Sequence, residues 1–104
     1  MTEPTPTYGS ESAIQGEIVK RLRAGGWHVI VTSQDRRTRK QLANIPDLIC
    51  FRDGTTLLVE CKTQMGQLTP GQVDFQCDML PHLGTHLRYK VMRYPGDADR
   101  WCEA

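Results

Sequence analysis

Residues 45–62 read IPDLICFRDGTTLLVECK, in which two apolar runs flank a turn signal. The dipeptide Asp53-Gly54 separates the runs, and Asp-Gly in that position favours a β-hairpin with a two-residue loop. Such a loop places Asp47 directly opposite Glu60, with Cβ atoms roughly 4.5–5.5 Å apart. The sequence therefore predicts two carboxylates that face each other across neighbouring strands.

The predicted carboxylate pair indicates a metal site, because like charges directly opposite in a sheet destabilise it unless a cation lies between them. Carboxylate oxygens are hard ligands that favour Mg²⁺, Mn²⁺ or Ca²⁺. Lys62 follows Glu60 by two residues and shares its sheet face, where it can meet negative charge that develops on a substrate. Together these groups suit hydrolysis of a phosphodiester. The prediction depends on register, because a bulged three-residue loop would turn Asp47 to the other face.

The composition is that of an ordinary globular domain, with 104 residues of which 38% are hydrophobic and 24% are charged. We expect a disordered arm at residues 1–9 and a single domain at residues 10–104. No apolar run approaches the length of a membrane span, and the first residues lack the features of a signal peptide, so a cytoplasmic protein is predicted. Cys50 and Cys61 are predicted to be small buried residues on the sheet face opposite the carboxylates.

Periodicity and turn signals along the chain predict the order α-β-β-β-α-β. The first helix has an apolar stripe and ends near Gly25, and Ser12 with Gln15 resembles a capping box at its start. The second helix begins after Thr69, which forms another predicted capping box with Gln72. The predicted elements are a helix at 12–23, strands at 27–32, 47–51 and 56–62, a helix at 70–80, a strand at 86–92 and a helical turn around Trp101.

A basic run lies in the polar loop before the hairpin and consists of Arg36, Arg37, Arg39 and Lys40. The formal net charge is only +1, so the overall charge does not indicate nucleic acid, whereas this local clustering does. Arginine binds phosphate through bidentate hydrogen bonds, and such contacts position DNA without reading its sequence. We predict that the run contacts DNA; the alternative is an ordinary solvated loop.

The order and spacing of these motifs resemble the PD-(D/E)xK nuclease superfamily. The residues that carry the resemblance are Glu17 in the first helix, Pro46-Asp47 and Glu60-Cys61-Lys62. The run GQLTPGQ at residues 66–72 resembles the virus-type replication-repair nuclease (VRR-Nuc) branch, and the chain is similar to its small stand-alone phage members. The resemblance covers residues 12–92 and implies an α/β fold: a restriction-endonuclease-like αβββαβ core with a mixed four-stranded sheet flanked by helices.

The resemblance implies a set of metal ligands. Asp47 and Glu60 would bind Mg²⁺, for which Mn²⁺ would substitute, together with the backbone carbonyl of Cys61. Glu17 would help to hold the metal directly or through water. The alternative for Glu17 is a surface ion pair with Arg21, four residues later on the same helix.

The resemblance also implies that Lys62 positions or activates the attacking water and that Gln72 orients Lys62 or this water. The capping box explains Gln72 equally well, and the amide is expected to serve both roles only if it leaves the cap, so both alternatives stay open. The implied activity is a metal-dependent endonuclease acting as a homodimer on branched DNA such as four-way (Holliday) junctions, as in DNA repair. The alternatives are a non-catalytic DNA-binding module on the same fold and a nuclease acting on linear duplex DNA.

Overall fold

The computed structural model describes residues 9–32 and 44–103. The predicted order is confirmed, with short 3₁₀ helices added after the second helix and after the last strand. The elements are α1 Glu11–Ala24, β1 His28–Val31, β2 Leu48–Arg52, β3 Thr55–Cys61, α2 Pro70–Met79, a 3₁₀ helix Leu80–His82, β4 Leu87–Met92 and a 3₁₀ helix Pro95–Trp101. The predicted arm falls almost wholly on residues 1–8, and the basic loop residues Arg36, Arg37, Arg39 and Lys40 also lie outside the described residues.

The sheet has the strand order β1-β2-β3-β4, in which β1–β2 and β2–β3 are antiparallel and β3–β4 is parallel. The hairpin loop is the predicted pair Asp53-Gly54, whose φ angles of 50° and 80° are the positive values of a type I′ turn. Leu48 pairs with Val59, so the predicted register is confirmed and its continuation sets Asp47 against Glu60. The fold is the predicted mixed α/β sheet with flanking helices.

Alternate residues of the strands separate two faces of the sheet. The face that packs on α1 is apolar and buried, and we call it the core face. Its members from the sheet are Val29, Leu48, Cys50, Leu57, Val59, Cys61 and Met92, which meet Ile14, Ile18, Val19 and Leu22 of α1. The opposite face, called the site face, carries Glu60 and Lys62, because successive side chains of a strand alternate between faces. Both cysteines of the hairpin are buried as predicted.

Of the two capping boxes predicted from the sequence, the structure contains one. The capping box of α2 is confirmed, because the Thr69 hydroxyl accepts from the Gln72 N–H and the Gln72 side chain accepts from the Thr69 N–H. The predicted box at Ser12 is wrong: the N-cap of α1 lies two residues earlier, at Ser10, whose hydroxyl accepts from Ala13 N–H at 3.2 Å. The earlier serine satisfies a free N–H of the first turn, so Glu11 becomes helical.

The segment Pro95–Trp101 is fastened to the start of β1 and the end of β2. Trp27 Nε1 donates to the Trp101 carbonyl at 2.7 Å, and Arg52 donates to the same carbonyl at 2.8 Å. Arg21 of α1 also bonds Asp99 at 3.0 Å. The predicted helical turn around Trp101 is therefore a 3₁₀ helix that closes one side of the core. None of the helices in the described residues is long and apolar enough to cross a membrane.

Candidate active site

The carboxyl groups of Asp47 and Glu60 meet at the edge of the site face, where the backbone holds Asp47 on two sides. The Cys61 N–H donates to Asp47 Oδ2 at 2.9 Å, and the Thr32 N–H donates to the Asp47 carbonyl at 2.9 Å. The two carboxyl groups lie close enough to share a hydrogen-bonded proton. Glu60 is only 3% exposed and Asp47 is half-buried, so the hairpin register sets a buried acid beside a more accessible one.

The environment of Glu60 favours its protonated form. Burial, followed by the hydrogen bond and the charge of Asp47, raises the pKa of Glu60 to about 8. Lys62 acts in the opposite direction and Glu11 adds to the rise. One proton shared between two carboxylates is the usual solution when both cannot ionise side by side. A divalent cation bound here would replace that proton and satisfy both acids.

Gln72 joins the start of α2 to the acid pair. Its Oε1 accepts from the Thr69 N–H at 2.9 Å, while its Nε2 donates to Glu60 Oε1 at 3.0 Å. The two ends of one amide therefore cap the helix and orient the glutamate at the same time. The cap predicted for Gln72 is confirmed, and its role at Lys62 or the attacking water stays a prediction. The amide reaches Glu60 without leaving the cap, because a primary amide has an acceptor and donors that act independently.

Lys62 lies beside the pair and contacts an acid of α1. Its Nζ is 3.8 Å from Glu11 Oε1, and the Lys62 side chain is 12% exposed against 43% for Glu11. This separation exceeds that of a good hydrogen bond, so the ammonium keeps donors for a water or a phosphate oxygen. The ion pair is loose enough to contribute little stability, and its value lies in positioning.

Glu17, the helix acid predicted from the sequence, is exposed on α1 and is not the glutamate that meets Lys62. The structure brings Glu11 to the site instead. Six residues separate the two glutamates, which is about 120° around a helix and about 9 Å along it, so both cannot face the same point. The misplaced cap at Ser12 hid this residue, because it left Glu11 outside the predicted helix.

Tyr89 is a further residue of the site face that sequence reasoning missed. It pairs in register with Leu58, and its ring lies against Phe75 of α2 with centroids 6.2 Å apart. Its buried hydroxyl has no hydrogen-bond partner within the described residues. Burial and the charges of Glu60 and Asp47 raise the pKa of Tyr89 to about 12. Alternation in β4 groups Tyr89 with Leu87 and Val91, but the parallel pairing that brings it near the acids is not readable locally.

The donor set fits a hard divalent cation. Asp47 and Glu60 offer carboxylate oxygens, and within residues 9–32 and 44–103 no group of three or more His, Cys, Asp or Glu side chains is arranged to hold a metal. Two carboxylates completed by water and substrate phosphate oxygens are the usual environment of Mg²⁺. The thiols do not compete, since burial raises the pKa of Cys50 to about 12 and also raises that of Cys61.

Comparison with known proteins places the chain in a family. The sequence profile described as archaeal Holliday junction resolvase (Hjc) matches residues 8–74. The chain belongs to the archaeal Holliday junction resolvase family. Asp47, Glu60, Lys62 and Gln72 all lie inside the part that the family profile matches, as does Glu11. Membership makes the chain a nuclease of the PD-(D/E)xK type, whose members generally use divalent metals.

A solved structure supports the same fold for this family member. It is described as a VRR_NUC domain and is 22% identical to the chain, with a TM-score of 0.60. The match covers 91% of this chain and 94% of that one. The resemblance to the VRR-Nuc branch seen in the sequence is thereby confirmed in the fold. No curated protein sequence matches the chain.

Proposed function

We propose that the chain is a divalent-metal-dependent endonuclease that hydrolyses phosphodiester bonds in branched DNA, with four-way junctions as its main substrate. The observation that carries the proposal is the pairing of half-buried Asp47 with buried Glu60, with Lys62 beside them. Two adjacent acids, one of them almost out of contact with water, cost stability, and a structural role gives no reason to keep them. The family profile supports the substrate class, since it is that of Holliday junction resolvases.

Asp47 and Glu60 are the residues that would hold the cation, with Mg²⁺ as the preferred ion and the Cys61 carbonyl as a further ligand predicted from the resemblance. When bound, such an ion lowers the pKa of a water molecule and neutralises charge on the phosphate. The chain itself supplies orientation: the Cys61 N–H fixes one oxygen of Asp47, and Gln72 fixes one oxygen of Glu60. Each carboxylate thus presents its remaining oxygen in a set direction.

Lys62 is the residue that we assign to the reacting phosphate and its attacking water. The ammonium donates to these oxygens and stabilises the negative charge that grows on phosphorus oxygens in the transition state. Glu11 holds Lys62 loosely from α1 at 3.8 Å, which keeps the ammonium at the site without occupying its donors. We assign Glu11 the role of a positioning residue that acts through Lys62, which differs from the metal-holding role that the resemblance implied for Glu17.

Two parts of the proposal rest on sequence alone. The basic run Arg36, Arg37, Arg39 and Lys40 precedes Asp47 closely and is proposed to contact DNA phosphates. A homodimer is proposed because a four-way junction has two-fold symmetry, and two symmetric cuts need two sites. Light scattering on the purified protein gives the mass that supports or contradicts the dimer.

The proposal is tested with labelled DNA in magnesium buffer, using linear duplex, flap, splayed and four-way substrates. We expect the four-way junction to be cut fastest, and Asp47→Asn and Lys62→Met each to lower cleavage by at least about a hundred-fold. Glu17→Gln is the matched control for Glu11→Gln, and only the latter should slow cleavage. Full activity of Asp47→Asn would overturn the assignment. Equal cutting of all substrates would favour a linear-duplex nuclease instead.

The rival is a DNA-binding module that keeps the fold but has no catalysis. Calorimetric titration with Mg²⁺ separates the two, because only the nuclease needs a cation at the acid pair. We expect heat of binding with the unaltered chain and none with Asp47→Asn. DNA binding without cleavage and without metal binding would favour the module.

A further inference from the structure

A cavity of about 390 Å³ opens between β4 and the Pro95–Trp101 helix, away from the acid pair. We call it the β4 cleft, and the residues that define it here are Arg88, Lys90, Asp97, Arg100 and Trp101. Arg88 and Lys90 alternate with Tyr89 on β4, so they lie on the opposite face from Glu60. The cleft also lies beyond residues 8–74, so the family match assigns it no role.

The charges of the β4 cleft are not balanced. Arg88, Lys90 and Arg100 are all exposed, and within the described residues no ion pair or hydrogen bond engages any of the three. The acid of the cleft is already in use, because Asp97 Oδ2 accepts from the N–H groups of Arg93 and Tyr94 at 2.9 and 3.1 Å. Three cations therefore face one cavity with their donors available.

Arg88 and Arg52 both contact a tryptophan ring, but they differ in their hydrogen bonds. Both guanidinium groups lie over a tryptophan ring, Arg52 at 5.5 Å from Trp27 and Arg88 at 5.2 Å from Trp101. Arg52 donates to the carbonyls of residues 25, 101 and 103, so its hydrogen-bonding capacity is spent inside the protein. Arg88 has the contact with the Trp101 ring alone, so its N–H groups have no hydrogen-bond partner within the described residues.

The chemistry of the cleft selects an extended polyanion. Sites for small ligands are mostly apolar, with a few buried polar groups, whereas exposed cations line this one. A planar guanidinium and two further cations suit the phosphates of a nucleic-acid backbone. Since Lys90 pairs with Val59, next to Glu60, the cleft and the acid pair lie on opposite faces of one strand pair. A branched substrate can send one arm to each face.

We propose that the β4 cleft binds the phosphodiester backbone of a DNA arm adjacent to the one being cut. The inference rests on the proposed function for its substrate, and it adds a second contact surface at the open edge of the sheet. Arg88, Lys90 and Arg100 contact phosphates, and Trp101 fixes Arg88. The cleft contributes affinity for the branch and takes no part in the chemical step.

The test compares Lys90→Gln, Arg100→Gln and the double variant with Lys20→Gln, an exposed lysine on α1 that serves as control. Dissociation constants for a four-way junction are measured against salt concentration in EDTA. Each cleft substitution should weaken binding several-fold and lower the slope of log affinity against log salt by about 0.9, as loss of one phosphate contact does in duplex DNA. Lys20→Gln should leave the affinity, the salt slope and the rate of junction cleavage unchanged.

Each outcome decides the proposal separately from the nuclease assignment. Unchanged salt slopes in the double variant would overturn the cleft while wild-type cleavage still supported the nuclease. If the cleft substitutions lower the salt slope but the wild-type chain never cuts DNA, the result would support the cleft proposal and overturn the nuclease assignment. If the wild type binds a mononucleotide and the double variant does not, the cleft is a small-anion site and the proposal fails. Unchanged thermal unfolding verifies that the variants are folded.

Discussion

The two faces of strand β3 differ in role: one face contributes to the hydrophobic core and the other to the candidate active site. Leu57, Val59 and Cys61 point to α1 and are fully buried in the core, while Glu60 points the other way and is buried beside Asp47. The core face gains stability from apolar burial, whereas the site face buries the carboxyl group of Glu60 beside a second acid, Asp47. Neighbouring residues of one strand therefore have opposite effects on stability. We expect a substitution on the site face to lower cleavage but not stability, and a substitution on the core face to lower stability but not cleavage.

The largest effect is expected from Glu60→Gln, which removes the charge and keeps the shape of the side chain. Cleavage should fall by at least about a thousand-fold, or ~4 kcal/mol of transition-state stabilisation, because a carboxylate ligand is lost. The free energy of unfolding in EDTA should stay equal or increase, since the amide is neutral at every pH and need not bind a proton to lie beside Asp47. Labelled-junction cleavage and urea unfolding measure the two. A loss of stability as large as that of a core substitution would contradict the division between faces.

Leu57→Ala on the core face is expected to do the reverse, lowering stability while leaving cleavage unchanged. Leu57 is fully buried, so truncation should lower the free energy of unfolding by about 2–5 kcal/mol. Cleavage per folded molecule should remain close to that of the wild type at low temperature, because Leu57 does not contact the acids. Urea unfolding together with cleavage at 15 °C checks both, the temperature being about that of maximum stability for many domains. An equal loss of activity in the folded fraction would show that the faces are coupled.

A smaller effect concerns pH in the absence of metal. The pKa of Glu60 rises from its ordinary 4.5 to about 8 on folding, so the folded chain holds more protons than the unfolded chain between these values. Stability should therefore fall as pH increases from 4.5 to 8, by at most about 1.4 kcal/mol per pH unit. Unfolding in EDTA at a series of pH values measures the slope. Glu60→Gln should flatten it, and an identical slope in that variant would assign the proton elsewhere.

Local signals predicted the part of the site that depends on one hairpin. Asp53-Gly54 set the register, and the register set Asp47 against Glu60, so these residues needed no knowledge of distant contacts. Glu11 was missed because two serines competed for one helix start, and cap choice depends on local energies of only about 1 kcal/mol. Tyr89 was missed because its position depends on the parallel pairing of β3 with β4, which joins residues far apart in sequence. The double role of Gln72 likewise required the docking of α2.

The smallest effect is expected from a substitution at Tyr89. Within the described residues, Tyr89 is the one residue of β4 on the site face whose buried hydroxyl has no hydrogen-bond partner. Tyr89→Phe keeps the ring against Phe75 and deletes only the oxygen. A buried hydroxyl without a partner costs about 1–3 kcal/mol, so the variant in EDTA should be more stable by about 1 kcal/mol. If the hydroxyl meets the substrate phosphate or its water, cleavage should fall although stability rises. Thermal unfolding and junction cleavage, measured on the same preparation, separate the two effects. A destabilised variant would show that the hydroxyl has a hydrogen-bond partner in the free protein. The site face would then cost the protein less stability than Glu60 and Asp47 suggest.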